Sequence, residues 1–322
     1  MSGAAHDDLR APAVAGTFYP AEPDRLERMV QRLFVDAALL AGVRTDAVAV
    51  PRLPSAILVP HAGLVYSGEV AAAGWGTLAA GRGGPPSTVV LLGTNHVAGW
   101  LRGVAAWEAG RWPLPDGGVD VDVELAAAIV ALGGAFGVDR AAHRGEHSIE
   151  VQLPLLAAVA PGARIVPLAV AAGTGRGALE AGEALGRLLA TRRAAGERVV
   201  LAISTDMAHY PPAVVARQVT AEHLAAIEAC DPAAVAATEE RLRDGGIRGL
   251  DCGMCGIEPA VLGVAAARAM GATRVSVLAS ATSADAGGAP NRTVGYLSCR
   301  FDVPSALGAP GASGAPGAAM AR

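Results

Sequence analysis

A chain of 322 residues with 52% hydrophobic composition is long enough to bury a large core, which excludes disorder of the whole chain. The formal charge is -4, no basic run occurs, and Phe, Tyr and Trp number four each, so neither the charge stripe nor the stacking platforms that nucleic acid requires are present. All 26 basic residues are arginines; without a lysine, neither a Walker P-loop nor a Schiff-base enzyme can operate.

In chain order, residues 1–10 (MSGAAHDDLR) are polar and acidic where a secretory signal would be basic and then apolar, and read as a flexible leader. Helical periodicity follows over 23–42, then the apolar run SAILV at 55–59 and a helix over 68–80. The runs TVVLL at 88–92, RIVPLAV at 164–170 and RVVLAI at 198–203 alternate with helices expected over 122–132, 146–159 and 176–193. Three more helices are predicted over 213–229, 231–243 and 256–270, with Asp231-Pro232 dividing the first two. Strands over 273–282 and 292–301 close the pattern as an antiparallel pair, and an Ala/Gly/Pro tail occupies 304–322. Alternation of this kind predicts one α/β domain over 11–303, with a mostly parallel central sheet and helices on both faces. No apolar run reaches membrane-spanning length, so a cytoplasmic protein with no membrane partner is expected. Four cysteines, too few and too unevenly spaced for a disulfide framework, read as reduced thiols.

Three histidines share one address. His61 follows AILVP, His96 follows VVLLGTN and His209 follows VVLAISTDMA, each just beyond the carboxyl end of a buried strand. Ligands bind at that edge of an open parallel sheet, because the strand-to-helix loops converge there. A lone histidine is more often satisfied by a neighbouring carbonyl, but three at equivalent addresses favour a metal pocket. Cys255, in DCGMCGIEP, precedes a predicted helix, whose N-terminal amides should lower its pKa and suit it to metal ligation or nucleophilic attack. Cys252 and Cys255 also form C-x-x-C, the spacing of a redox dithiol or half a zinc site, although no second half is present.

Asp206 and His209 stand three apart in STDMAHY. In a helical turn the carboxylate would orient the imidazole as a general acid/base; the competing reading is a capping Asp beside a surface His. In EHSIEVQLP, Glu146, His147 and Glu150 open an expected amphipathic helix, where capping is the default role and support of the metal ligands the alternative. Neither G-x-G-x-x-G nor G-x-S-x-G occurs, so dinucleotide binding is weakly supported, and Ser67 and Ser204 lack a nucleophile elbow.

Read together, AGTFYPAEP at 15–23, VPHAGLVYSG at 59–68, LLGTNH at 91–96, EHSIEVQLP, STDMAHY and CGIEP at 255–259 resemble the Memo family over roughly Val14 to Phe301. Its prokaryotic members are named AmmeMemoRadiSam system protein B. The resemblance implies a fold similar to class III extradiol ring-cleaving dioxygenases, with Cys in place of a ligand Glu. Carried over by residue, it implies His61, His96 and Cys255 as ligands of iron(II) or copper, His209 as counterpart of an acid/base histidine and Asp206 as its partner. Because a thiolate is softer than a carboxylate, ring cleavage is not carried over with the fold. The implied function is that of a metal-binding redox protein or oxidoreductase acting on a small molecule or peptide; the alternative is a non-catalytic peptide- or partner-binding scaffold that keeps the pocket. Functional association with a radical-SAM protein and an AMMECR-type protein is implied as well.

Overall fold

Four strands made almost wholly of Val, Leu, Ile and Ala carry the centre of the molecule: β1 (Ala56–Val59), β2 (Thr88–Thr94), β7 (Arg164–Ala171) and β8 (Val199–Ser204). Strands of this composition are stable only when covered on both faces, and β1, β2 and β8 are buried at every position. In this computed structural model, which describes residues 9–40, 52–79 and 83–304, the four lie side by side and parallel in the order β7-β2-β8-β1. Each large side chain so buried contributes about 1.5–3 kcal/mol.

The sheet has eight strands. Beyond β7 lie β3 (Gly103–Ala106), antiparallel to it, and then β6 (Phe136–Val138); beyond β1 come β10 (Gly295–Asp302) and β9 (Arg274–Thr282), an antiparallel pair. A separate hairpin pairs β4 (Arg111–Leu114) with β5 (Gly117–Asp120). The predicted C-terminal pair therefore forms one edge of the sheet. Strands β3 to β6 have no counterpart in the sequence reading: each has only three or four residues, and Gly, Pro or charged residues interrupt their apolar pattern.

Helices α1 (Pro23–Leu40), α2 (Leu64–Ala79), α3 (Val123–Val130), α5 (Arg176–Ala194), α6 (Ala213–Glu228), α7 (Pro232–Asp244) and α8 (Ile257–Ala269) fall where periodicity places them. The helix expected from residue 146 begins only at Leu153, as α4 (Leu153–Val159), after a short 3-10 turn over Glu150–Gln152. Helix α2 packs on β1, β9 and β10, while α8 packs on β2, β7 and β8. A Cβ at Gly263 of α8 would stand 2.5 Å from Ile203, so glycine lets that helix sit directly on β8.

Most of the expected leader and all of the tail beyond Pro304 lie outside the described residues, as do positions 41, 42 and 80 at the ends of two predicted helices. Arg10, assigned to the leader, is instead buried: its guanidinium pairs with Glu150 and donates to the Glu146 and His143 carbonyls. Among the described residues, no helix is long and apolar enough to cross a membrane.

Candidate metal centre

Strands β2, β8 and β1 are neighbours, and the loops leaving their carboxyl ends carry His96, Asp206 with His209, and His61. Two strands flanking a third lie about 10 Å apart, close enough for imidazoles just beyond their ends to meet over the middle strand. His61 and His96 do so, with ring centroids 5.2 Å apart. The loop before α8 completes the group from a fourth direction. Gly256 lies so close to Thr205 and Thr94 that a Cβ there would stand 2.6 Å from either hydroxyl, and this brings Cys255 over the ends of β2 and β8. One donor atom each from His61, His96 and Cys255 lies within 4.8 Å of the others; the same holds for Asp206, His209 and Cys255, and for His96, Glu146 and His147.

Hydrogen bonding sets the face that each ring presents. The Ser204 hydroxyl donates to the Ser148 carbonyl at 2.7 Å, so its oxygen can only accept from His61 Nδ1 at 3.1 Å and Gln152 Nε2 at 3.0 Å. His61 is thereby held as the Nδ1–H tautomer, with the Nε2 lone pair facing Cys255 Sγ at 3.2 Å. The Gln152 amide is itself fixed, donating to the Pro60 carbonyl at 2.8 Å and accepting from Trp75 Nε1 at 2.8 Å. His96 Nδ1 donates to Glu146 at 2.9 Å, and His209 Nδ1 donates to the Met207 carbonyl at 2.8 Å. All three rings so bonded keep Nε2 free as a donor, the arrangement by which proteins orient metal-binding imidazoles.

Burial and charge act on the same groups. Burial, reinforced by the neighbouring rings of His96 and His147, pushes the pKa of His61 well down, so its imidazole is neutral. Burial acts likewise on His147, which falls to about 4. For Glu146, burial alone would raise the pKa; its hydrogen bonds to the His96 ring and to the backbone amides of His96 and Ser148 win, and hold it far below the usual range. The Cys255 thiol is pushed well up by burial and by Asp206, against the expectation that the α8 N-terminus would lower it. A thiol in that setting keeps its proton unless a cation displaces it. The donor set of two imidazoles and one thiol therefore suits a soft or borderline transition metal, whose charge would deprotonate the sulfur.

These residues line a cavity of about 730 Å³ that also meets Phe18, Tyr66, Tyr210 and Arg292. A family model described as Memo-like protein matches residues 10–300. The chain belongs to the Memo family. It is 36% identical to a MEMO1 family protein of Methanopyrus kandleri over 91% of this chain and 98% of the relative. It is 34% identical to one of Methanothermobacter thermautotrophicus, covering 89% and 98% of the two chains, and 36% identical to one of Thermotoga maritima, covering 90% and 98%.

Two expectations for this Memo chain are corrected. Residues 205–208 form no helical turn, and Asp206 does not orient His209. Its carboxylate accepts the backbone N–H of His61 at 2.7 Å and of Ala62 at 3.3 Å, while Met207 takes the imidazole proton. The reason is backbone competition. The segment is clamped by Met207 N–H on the Gly295 carbonyl at 2.8 Å and His209 N–H on the Cys252 carbonyl at 2.9 Å, and those bonds preclude helical ones. Likewise, Glu146 and His147 do not open a helix: the Glu146 side chain accepts the backbone N–H groups of His96, His147 and Ser148, a local alternative to helical bonding.

Glu150 lies away from the cluster and gathers Arg10, the amides of Ala13 and Val14, and the Tyr19 hydroxyl. It thereby fixes the segment that supplies Phe18, which packs edge-on against His147 at 4.8 Å. All four cysteines are free thiols. Cys252 joins no candidate ligand group among the described residues, and burial together with Glu239 and Asp251 pushes it up to about 12. Ser204 is no nucleophile, since its hydroxyl is buried and its proton committed. Sequence reasoning missed Ser204 and Gln152 as supports of His61, and Glu239 beneath the Cys255 loop. The only signal for Gln152 was its place in EHSIEVQLP, two residues past Glu150.

Proposed function

We propose that this protein is a metal-dependent redox protein acting on a small molecule in the cavity, with His61 Nε2, His96 Nε2 and Cys255 Sγ holding iron(II) or copper. The observation that carries the reading is the convergence of one donor atom from each of those three residues within 4.8 Å, with Nδ1 of each ring already bonded. When bound, such an ion supplies a Lewis-acidic, one-electron centre. The remaining work falls to the chain. His209, its Nδ1 proton on Met207, offers Nε2 to accept a proton from a ligand and return it. Asp206 holds the His61 backbone in place, and Phe18 and Tyr66 line the cavity.

Anaerobic titration with Fe(II) and with Cu(I), followed by calorimetry, tests the reading on wild type, His61→Ala and Cys255→Ala. Binding by wild type and at least about a hundredfold weakening in each variant is expected, because loss of a side chain that touches the ion outweighs the roughly 10–100-fold effect of losing a group that only supports it. Equal affinity in all three ends the proposal.

A second reading, a peptide-binding scaffold that keeps the pocket, draws on the exposure of Val65, Tyr66 and Tyr210 around the cavity. Under it, peptide capture survives both substitutions; under the first, metal-dependent turnover of a small molecule does not.

A further inference from the structure

The cavity carries an imbalance that the proposed centre does not use. Its lining includes the carboxylates of Asp206 and Asp251, four imidazoles and, among the described residues, a single guanidinium, that of Arg292. Of the two carboxylates, that of Asp206 accepts two backbone N–H groups through its Oδ1. Arg292 has no carboxylate or carbonyl partner among the described residues. Its guanidinium carbon instead lies 4.1 Å from the centroid of the Tyr210 ring. Stacking of this kind orients the planar fork while leaving its N–H edge free.

The support beneath the stack is built, not incidental. Tyr210 has φ of 71°, a left-handed conformation that a bulky non-glycine residue rarely adopts. It is held there by its own N–H on the Thr293 carbonyl at 2.6 Å and by Thr293 N–H on the Pro211 carbonyl at 3.0 Å. These bonds fix the backbone on either side of the stacked pair. Strained backbone at a cavity wall persists only where its surroundings over-determine it. Here they hold a phenol ring under the one cation, in the cavity that contains His209.

We propose that Arg292 is a carboxylate subsite: the ligand of this cavity is a small organic acid whose single carboxylate seats on the Arg292 fork, with its apolar body against Tyr210 and Tyr66. One fixed positive charge balances a monoanion. A phosphate, close to doubly charged at neutral pH, would carry one charge more than the single guanidinium offsets. This deepens the reading of the cavity as a small-molecule site, yet it rests on Arg292 and Tyr210 rather than on the metal donors.

Benzoate, benzamide and inorganic phosphate serve as probes, by calorimetry on the full chain as wild type, Arg292→Ala and Arg292→Lys, with Fe(II) titrations run in parallel. Wild type should prefer benzoate over benzamide by roughly tenfold, the scale of one hydrogen-bonded charge. Arg292→Ala should lose that preference while keeping its Fe(II) affinity, and Arg292→Lys should retain part of it. Equal benzoate binding by wild type and Arg292→Ala, no preference over benzamide, or tighter binding of phosphate overturns the proposal. If wild type takes up no Fe(II) but keeps an Arg292-dependent preference for benzoate, the carboxylate subsite stands and the metal centre falls. Fe(II) uptake without that preference gives the reverse.

Discussion

Ser204 shows how a buried hydroxyl can direct a neighbour without reacting. Its one proton and both its lone pairs are spoken for, so replacing it with alanine leaves His61 Nδ1 and a Gln152 N–H without their acceptor. Ser204→Ala should therefore weaken metal binding by about 10–100-fold, the effect of removing the outer partner of a ligand imidazole. Calorimetry with Fe(II) against wild type measures this, and unchanged affinity would show that His61 holds its tautomer by other means. The histidines themselves were legible in the sequence because each follows an apolar strand that announces its own end. Ser204 was not legible as a support of His61, because the Ser148 carbonyl that takes its proton lies 56 positions away in the sequence.

At the level of elements, the loop between α7 and α8 decides where the sulfur lies. Glu239, on α7, is buried beneath it and accepts the Gly253 N–H at 3.1 Å and His223 Nε2–H at 2.9 Å. A Cβ at Gly253 would stand 2.5 Å from that carboxylate, so the loop rests directly on it. Glu239→Ala orphans two buried donors and should reduce stability by roughly 2–4 kcal/mol, whereas Glu239→Gln should lose less. Urea denaturation of both variants measures the difference, and equal losses would assign the effect to the charge and second acceptor oxygen of the carboxylate rather than to packing, which the isosteric glutamine preserves.

Nothing in the sequence around Glu239 marks it, because TEERLRD reads as the solvated face of a helix. The parallel strands, by contrast, could be read from composition alone, since burial on both faces demands continuous apolar runs. Strands β3 to β6 lie between Gly103 and Val138, where turns and single tryptophans break the pattern; they are strands because β3 pairs with β7, β6 with β3, and β4 with β5. Segment 205–208 went the other way. Its three-residue spacing suggests a helical turn, but bonds to loops some 45 to 90 residues further along the chain decide its backbone.

Across the whole molecule, buried neutral histidines tie stability to pH. His143, fully buried with Nε2 donating to the Ala105 carbonyl at 2.9 Å, is lowered by burial from the ordinary 6.5 to about 4. A histidine whose pKa is depressed on folding binds a proton more readily in the unfolded chain. Its contribution is therefore complete above about pH 6.5 and is lost as pH falls from there to about 4, on the order of 3 kcal/mol in all. Thermal melts of metal-free protein should decline over that window, before carboxylates titrate, and less steeply for His143→Gln; parallel curves for the two proteins would show that His143 is not the source.

The clamp at Glu150 joins residues 10, 13, 14 and 19 to the middle of the chain through one carboxylate, and the segment it secures furnishes Phe18 to the cavity wall. A saturation mutagenesis map of this protein would consequently score Glu150 among the most intolerant positions for ligand handling, although no ligand reaches it. The phenotype would travel through a displaced phenyl ring, and distance from the cavity would be a poor guide to which variants are silent.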